Sequence, residues 1–552
     1  MPSFSWMGQK ANFSAGRFGL NFVLLLLAFA GCGFLMNALF KKPNISAVPP
    51  PSVNIPSQTL DELNSSFSSE WANKKVSPSP PADNYTLARR LSLSLTGAVP
   101  SLEELRKLES TPDIDQLNAW LNHLLTDRRY AHYLAERFAR VYVGVEQGPF
   151  LVYRRRRMVN WIADQLAVNR PYDKMARELI ASKGIWTTSP AANFITVTNG
   201  QGKMGPDEVK LAARTSRAFL GVSLDCVQCH DDKFGDRWKQ KDFHQLAAFF
   251  AQSEVGVNGV WDNSSRDYET RFKGQKEAEK VSMEVPFQKA VFRENGSARE
   301  QLADWITHRE NRSFSRAVAN RAWAVLFGRP LVTPIDDIPI DGPVPAQLDI
   351  LADAFVESGY DLQSLFRLIA NSEPFLRDSK SDDPEKPVTE TQEASWAAYP
   401  LTQLRPEQVA GSVIQAASIR ALDSSSHIVK RFQRFNETKD FVKRYGDKGE
   451  SEFSEGTGTI PQRLILMNGN LVKDRTEPNP FLNATTRIAA LTKDPDRAIE
   501  SAFLAVLTRL PTDPELSYFR QRIGDKKGDN RQKAFHDLYW ALINSTEFSW
   551  NR

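Results

Sequence analysis

Three cysteines in 552 residues leave this chain without a disulfide framework. Its fold must be held by apolar packing, and the chain is long enough to bury a large core. Two of the three thiols stand together in LDCVQCHDDKF, residues 224–234, as Cys226-x-x-Cys229-His230; the third, Cys32, lies far upstream. At roughly 100–200 residues per domain, this length suggests two to four units. A content of 41% hydrophobic and 25% charged residues is that of a globular protein. The 70 basic and 66 acidic residues nearly cancel, at net +4, which argues against a nucleic-acid partner. The one dense basic run, Arg154 to Arg157, reads as a solvated helix face.

Residues 1–17 are a short N-terminal segment. Residues 18–40, FGLNFVLLLLAFAGCGFLMNALF, carry no charge, with Arg17 before them and Lys41-Lys42 after. About 20 apolar residues cross a hydrocarbon core of ~30 Å, so the stretch predicts a transmembrane helix acting as a signal anchor. The alternative is a lipoprotein signal ending at Cys32, because LAFAGC places small residues before that thiol. Phe29 and the apolar run Gly33 to Phe40 speak against it. Either reading expects membrane attachment through residues 18–40, at the cell membrane, with the main body outside the cytoplasm. The flanking charges do not decide the orientation. Residues 41–82, with PNISAVPPPSVNIPSQ and VSPSPPA, read as a Pro/Ser-rich tether.

The expected fold class is mainly α: an N-terminal membrane segment, then two helical domains joined by a polar loop or short hairpin. The first helical domain covers 83–252 and contains the cysteine motif. Apolar residues recur at helical spacing in Thr86 to Leu95, Ile114 to Leu125, Ala131 to Tyr142 and Glu208 to Val222, and Ser101 is a candidate N-cap. The connecting segment, 253–297, is polar, carries Asn-Gly at 258–259 and 295–296, and alternates weakly around Val281, Met283 and Val285. The second domain, 298–552, has helical patterns at 299–308, 314–326, 346–357, 361–371, 405–417, 496–509, 514–523 and 531–546. Residues 378–395 and 421–459 read as polar and mobile.

The C-x-x-C-H spacing has a specific chemical use. Two thiols one turn apart add to the two vinyl groups of one haem, and the next residue offers its imidazole to the iron. Three other readings stay open at this point. Cys226 and Cys229 form a structural disulfide, they contribute to a metal site with Asp231 or Asp232, or they are a redox pair. A zinc site normally takes four ligands in two separated pairs, and only one pair is present. A thioredoxin-like pair follows a strand, whereas the residues before Cys226 read as helix. For a haem, His230 is the candidate proximal ligand. Met204, Met283 and His244 are candidates for the distal side, with Met283 or His244 preferred. His123, His132, His308, His427 and His536 read as surface or satisfied core residues.

RRLSLSLTGAVPSLEEL (89–105), WIADQLAVNRPYDKMARELI (161–180) and FLGVSLDCVQCHDDKFGDRWKQKDFHQLAAFF (219–250) resemble the planctomycete cytochrome-C-type domain. NRSFSRAVANRAWAVLFGRPLVTPIDD (311–337), SGYDLQSLFRLIANS (358–372), LRPEQV (404–409), IPQRLILMNG (460–469) and ALINSTEF (541–548) resemble the companion domain that follows it. These are the domains of unknown function 1549 and 1553, and the resemblance covers roughly 83–550. It implies an extracytoplasmic protein with no assigned reaction. By position it makes Cys226 and Cys229 the attachment thiols and His230 the proximal ligand. Many relatives read C-H-D-H-x-F, where this chain has Asp232 in place of the second histidine, and many carry Trp or Tyr where it has His244. The separate cytochrome domain found near the N-terminus of many relatives is missing, so at most one haem c per chain is expected.

The leading expectation is therefore a membrane-tethered, extracytoplasmic c-type haem protein serving electron transfer or redox support of an envelope process, with an unknown redox or envelope protein as partner. Phe219, Leu220, Phe234 and Trp238 are candidate walls for the ring. The rival is an envelope scaffold or binding protein in which Cys226 and Cys229 form a structural staple and the region of Trp305, Trp323 and Asp336-Asp337 binds a partner. No pair of carboxylates stands at a spacing that argues for a hydrolase, and whether the protein is an enzyme is left open.

Overall fold

Helices dominate because apolar residues recur at helical spacing through most of the chain, between caps and glycines that stop each run. The computed structural model describes residues 57–552 except 146–147, 150–151, 201–204, 233–236, 384, 423–427, 447–448, 450–452, 454–458 and 478–482. Phe234, Met204, Cys32, His427, the segment 1–17, the charge-free stretch 18–40 and the tether residues 41–56 lie outside the described residues.

The helices fall in two regions. The first includes Asn84–Thr96, Leu102–Glu109, Asp113–Thr126, Arg128–Val143, Arg155–Ala167, Tyr172–Ala181, Glu208–Thr215 and Gln240–Ala248. The second includes Ala298–Ile306, Arg312–Phe327, Ala346–Glu357, Leu362–Ala370, Pro406–Ala416, Pro495–Leu507, Asp513–Ile523 and Gly528–Ile543. Ser101 caps its helix as a full capping box with Glu104.

The expectation of an N-terminal membrane segment is corrected. Among the described residues no helix is long and apolar enough to cross a membrane. The longest, Ser57–Lys74 and Ile428–Tyr445, have 18 residues each and carry charges along their length.

Two further differences concern polar-looking stretches. Residues 57–74, read as tether, form a helix whose Leu63, Phe67 and Trp71 are buried, with Phe67 stacked on Trp323 at 5.5 Å. Residues 428–445, read as mobile, form a helix with Phe441 and Tyr445 buried and stacked at 4.9 Å. In both, a few large apolar residues at helical spacing outweigh a polar composition.

The segment between the two regions does not separate them. Ser253–Gly256 and Gly259–Asp262 pair as an antiparallel hairpin, with Gly256 opposite Gly259. Backbone bonds in both directions between Gly184 and Val260, 2.8 and 2.9 Å, seat the hairpin on the first region. A side chain on Gly259 would collide with the Gly184 backbone, and its φ is +105°. Val255, Val260, Tyr268, Val281, Val285 and Val291 are buried in the same core as both helical regions. Two buried arginines complete the union. Arg89 donates to the carbonyls of Val506 and Phe548, and Arg90 to those of Phe375, Arg377 and Arg552. The described residues all fall in one unit, Pro50–Arg552.

Candidate functional site

The helix Glu208–Thr215 continues through one π-turn, Ser216–Leu220, and stops at Gly221, whose φ is +63°. The stop is set by packing as well as by dihedral. A Cβ on Gly221 would lie 2.9 Å from Ile338 Cδ1 and 3.1 Å from Ala317 Cβ. The Gly221 carbonyl accepts from the Ile338 N–H at 2.8 Å. From this pivot the chain turns outward into the cysteine motif.

Asp225–Gln228 is a single 3-10 turn, and the Cys229 N–H reaches the Cys226 carbonyl at 3.4 Å. Val227 is buried and roots the turn, while Cys226 and Cys229 are exposed and not bonded to each other. His230 is half-buried. Its Nδ1 lies 2.8 Å from the Asp231 carbonyl, an acceptor only, so in the neutral ring Nδ1 carries the proton and Nε2 the lone pair. A metal-binding imidazole is usually oriented by such a bond on its other nitrogen.

The turn is gripped from below by the helix Gln240–Ala248. The Gln240 N–H donates to Asp231 Oδ1 at 2.7 Å, and the Gln240 side-chain amide donates to the Gln228 carbonyl at 3.0 Å. His244 Nε2 donates to the same carbonyl at 3.1 Å, and its Nδ1 accepts from the Tyr268 hydroxyl at 2.8 Å. His244 is only 4% exposed. Burial pushes its imidazole below the usual range, against the Gln228 hydrogen bond. Burial, with Glu208 second, pushes the Tyr268 phenol up to about 12, so it keeps the proton it donates.

The residues singled out in the sequence are thus distributed unevenly. Cys226, Cys229 and His230 sit together on one surface turn. His244 lies behind that turn with both ring nitrogens engaged. Met283 is 39% exposed in the connecting segment. Phe219 faces away into the core, stacked on Tyr142 at 5.2 Å, and Trp238 is half-buried beside Phe287. Asp336 and Asp337 lie in a turn closed by the Asp337 N–H on the Pro334 carbonyl. Sequence reasoning missed Gln228, Gln240 and Tyr268, which have no motif of their own.

The donor set fits covalent attachment of a haem: two unbonded thiols on one turn and an imidazole with a free lone pair. It fits a single small ion less well. Among the described residues, the one group of three such donor atoms lying within 4.8 Å of one another is Glu104, His123 and Asp127, not the cysteine motif. That group is an ion-pair knot. Glu104 accepts from Ser101, His123 and the buried Arg129. Two core cavities, one lined by Phe138, Tyr172, Arg321 and Phe366 and the other by Leu87, Leu91, Leu108 and Trp120, hold about 10 Å³ each, room for one water at most. Neither is lined by residues of the cysteine motif.

Residues 62–255 match the family PSCyt2, protein of unknown function (DUF1549), and residues 298–452 match PSD1, protein of unknown function (DUF1553). The two matches cover more than half of the chain, in the order expected from its motifs. No curated protein and no solved structure matches it. The chain therefore belongs to the proteins that carry DUF1549 followed by DUF1553.

Proposed function

We propose that this is an extracytoplasmic c-type haem protein, carrying one haem on Cys226, Cys229 and His230, that moves single electrons for an envelope process. One observation carries the reading: the two exposed, unbonded thiols lie on a single turn beside an imidazole whose Nδ1 is tied to the Asp231 carbonyl. Bound haem supplies the one-electron chemistry. The chain's part is to hold the ring through two thioethers and to orient the proximal imidazole. His244 is not retained as a distal ligand, because both of its ring nitrogens are engaged.

The test is expression of the full chain in a host with haem-attachment machinery, followed by a pyridine haemochrome spectrum and intact mass. Covalent haem in the native chain, lost in Cys226→Ser, is the expected result. Absence of haem in that host, with the two thiols joined in the mass spectrum, would overturn it and favour an envelope scaffold stapled by that disulfide.

A further inference from the structure

We propose that His244 is a positioning residue for the cysteine turn, acting through the Gln228 carbonyl. Gln228 stands between the two thiols, so its carbonyl sets the pitch of the turn that carries them. That oxygen accepts two hydrogen bonds, from His244 Nε2 and from the Gln240 amide, both on one helix. Gln240 also reaches past the turn to hold the Asp231 carboxylate through its own N–H. Asp231 in turn supplies the carbonyl that fixes the His230 ring. One helix therefore grips the turn on both sides of Cys229.

The imidazole is suited to this duty by its surroundings. It is enclosed by Phe243, Tyr268 and Phe272, with ring centres 5.4 to 5.9 Å away. The Tyr268 hydroxyl caps Nδ1, which leaves Nε2–H as the donor. A buried donor aimed at a backbone carbonyl has little rotational freedom, so the turn is set before any cofactor arrives. The chain thus uses as a brace the histidine that its sequence offers as a ligand.

The inference rests on the haem reading for one arm of its test only. The first arm is hydrogen exchange of the full chain with no cofactor. His244→Phe keeps a ring and deletes the donor. Exchange over residues 224–232 should speed up about tenfold, the equivalent of one buried hydrogen bond, while residues 312–327 stay unchanged. His244→Gln returns an N–H near the Nε2 position and should restore slow exchange. The second arm is the covalently haem-loaded fraction in the attachment host, expected to fall severalfold in His244→Phe and to recover in His244→Gln. Wild-type exchange over 224–232 in His244→Phe would overturn the inference, and so would a folded His244→Gln that rescues neither readout. If His244→Phe does not fold, Tyr268→Phe removes the hydroxyl that fixes Nε2–H of His244 as the donor and is judged by the same exchange. A wild-type chain that takes up no haem sinks the proposed function and leaves the exchange arm to decide on His244.

Discussion

Arg299, only 1% exposed, donates twice to one carboxylate oxygen of Asp262, from Nε at 2.9 Å and from Nη2 at 2.7 Å. Its remaining nitrogen donates to the carbonyls of Ile180 and Ser182. One guanidinium thus joins the hairpin, the first helical region and the second. Arg299→Ala is expected to destabilise the chain by about 3 kcal/mol, because it deletes the hydrogen bonds of a buried guanidinium and leaves the half-buried Asp262 carboxylate with Lys183 alone. Replacing both partners, Arg299→Met with Asp262→Leu, should cost clearly less. Urea unfolding of the three variants checks this, and equal losses in the single and double variants would contradict it.

Gly221→Ala is expected to lose about 1–3 kcal/mol. The substitution forces a left-handed φ on a side chain and brings its methyl to 2.9 Å from Ile338 Cδ1. Because Gly221 is the pivot into the cysteine turn, faster alkylation kinetics at Cys226 and Cys229 should accompany the drop in melting temperature.

The helix Ser57–Lys74 should behave as core. Phe67 is fully buried against Trp323, so Phe67→Ala is expected to cost about 3–5 kcal/mol. Limited proteolysis should spare residues 57–74 in the native chain and cut there in the variant. Rapid cleavage of the native chain within this helix would show that it is not held.

Acid should weaken the knot around Glu104. Burial alone would raise its carboxyl, but the bonds from His123, Arg129 and Ser101 prevail and hold it far below the ordinary 4.5. A carboxyl depressed in the folded state stabilises the chain above its unfolded value of about 4.5. That contribution is lost as pH falls through the folded value. Between pH 5 and 3, stability should therefore fall more steeply in the native chain than in Glu104→Gln, by up to about 1.4 kcal/mol per pH unit. Denaturant midpoints across that range measure the difference.

Cys226→Ser and Cys229→Ser should change stability by less than about 0.5 kcal/mol, since both thiols are exposed and unbonded. Each should abolish two-point haem attachment. A melting temperature that falls on adding reductant to the native chain would instead mark a staple.

What could be read in the sequence follows how local each signal is. Ser101 and Glu104 close a capping box within four residues, and the 346–357 pattern is a helix over that span. The cysteine motif is equally local: its thiols and imidazole share one turn wherever that turn is placed. The helix at 57–74 escaped notice because Leu63, Phe67 and Trp71 are sparse among serines and charges, and the core they enter, which includes Trp323, lies more than 250 residues away in sequence. The connecting segment does lie between the two family matches, which end at 255 and resume at 298, but its buried valines find partners only in the assembled body.

His244 marks the division. Its sequence established a helix, an imidazole and a place 14 residues beyond His230, which is all that a short-range pattern can carry. Its work was decided by docking of the helix against the turn, which put Gln228 on one nitrogen and Tyr268 on the other. Periodicity and capping act within a few residues, whereas hydrogen-bond partners across the core depend on how whole helices pack. For that reason the motif was legible in advance and its support was not.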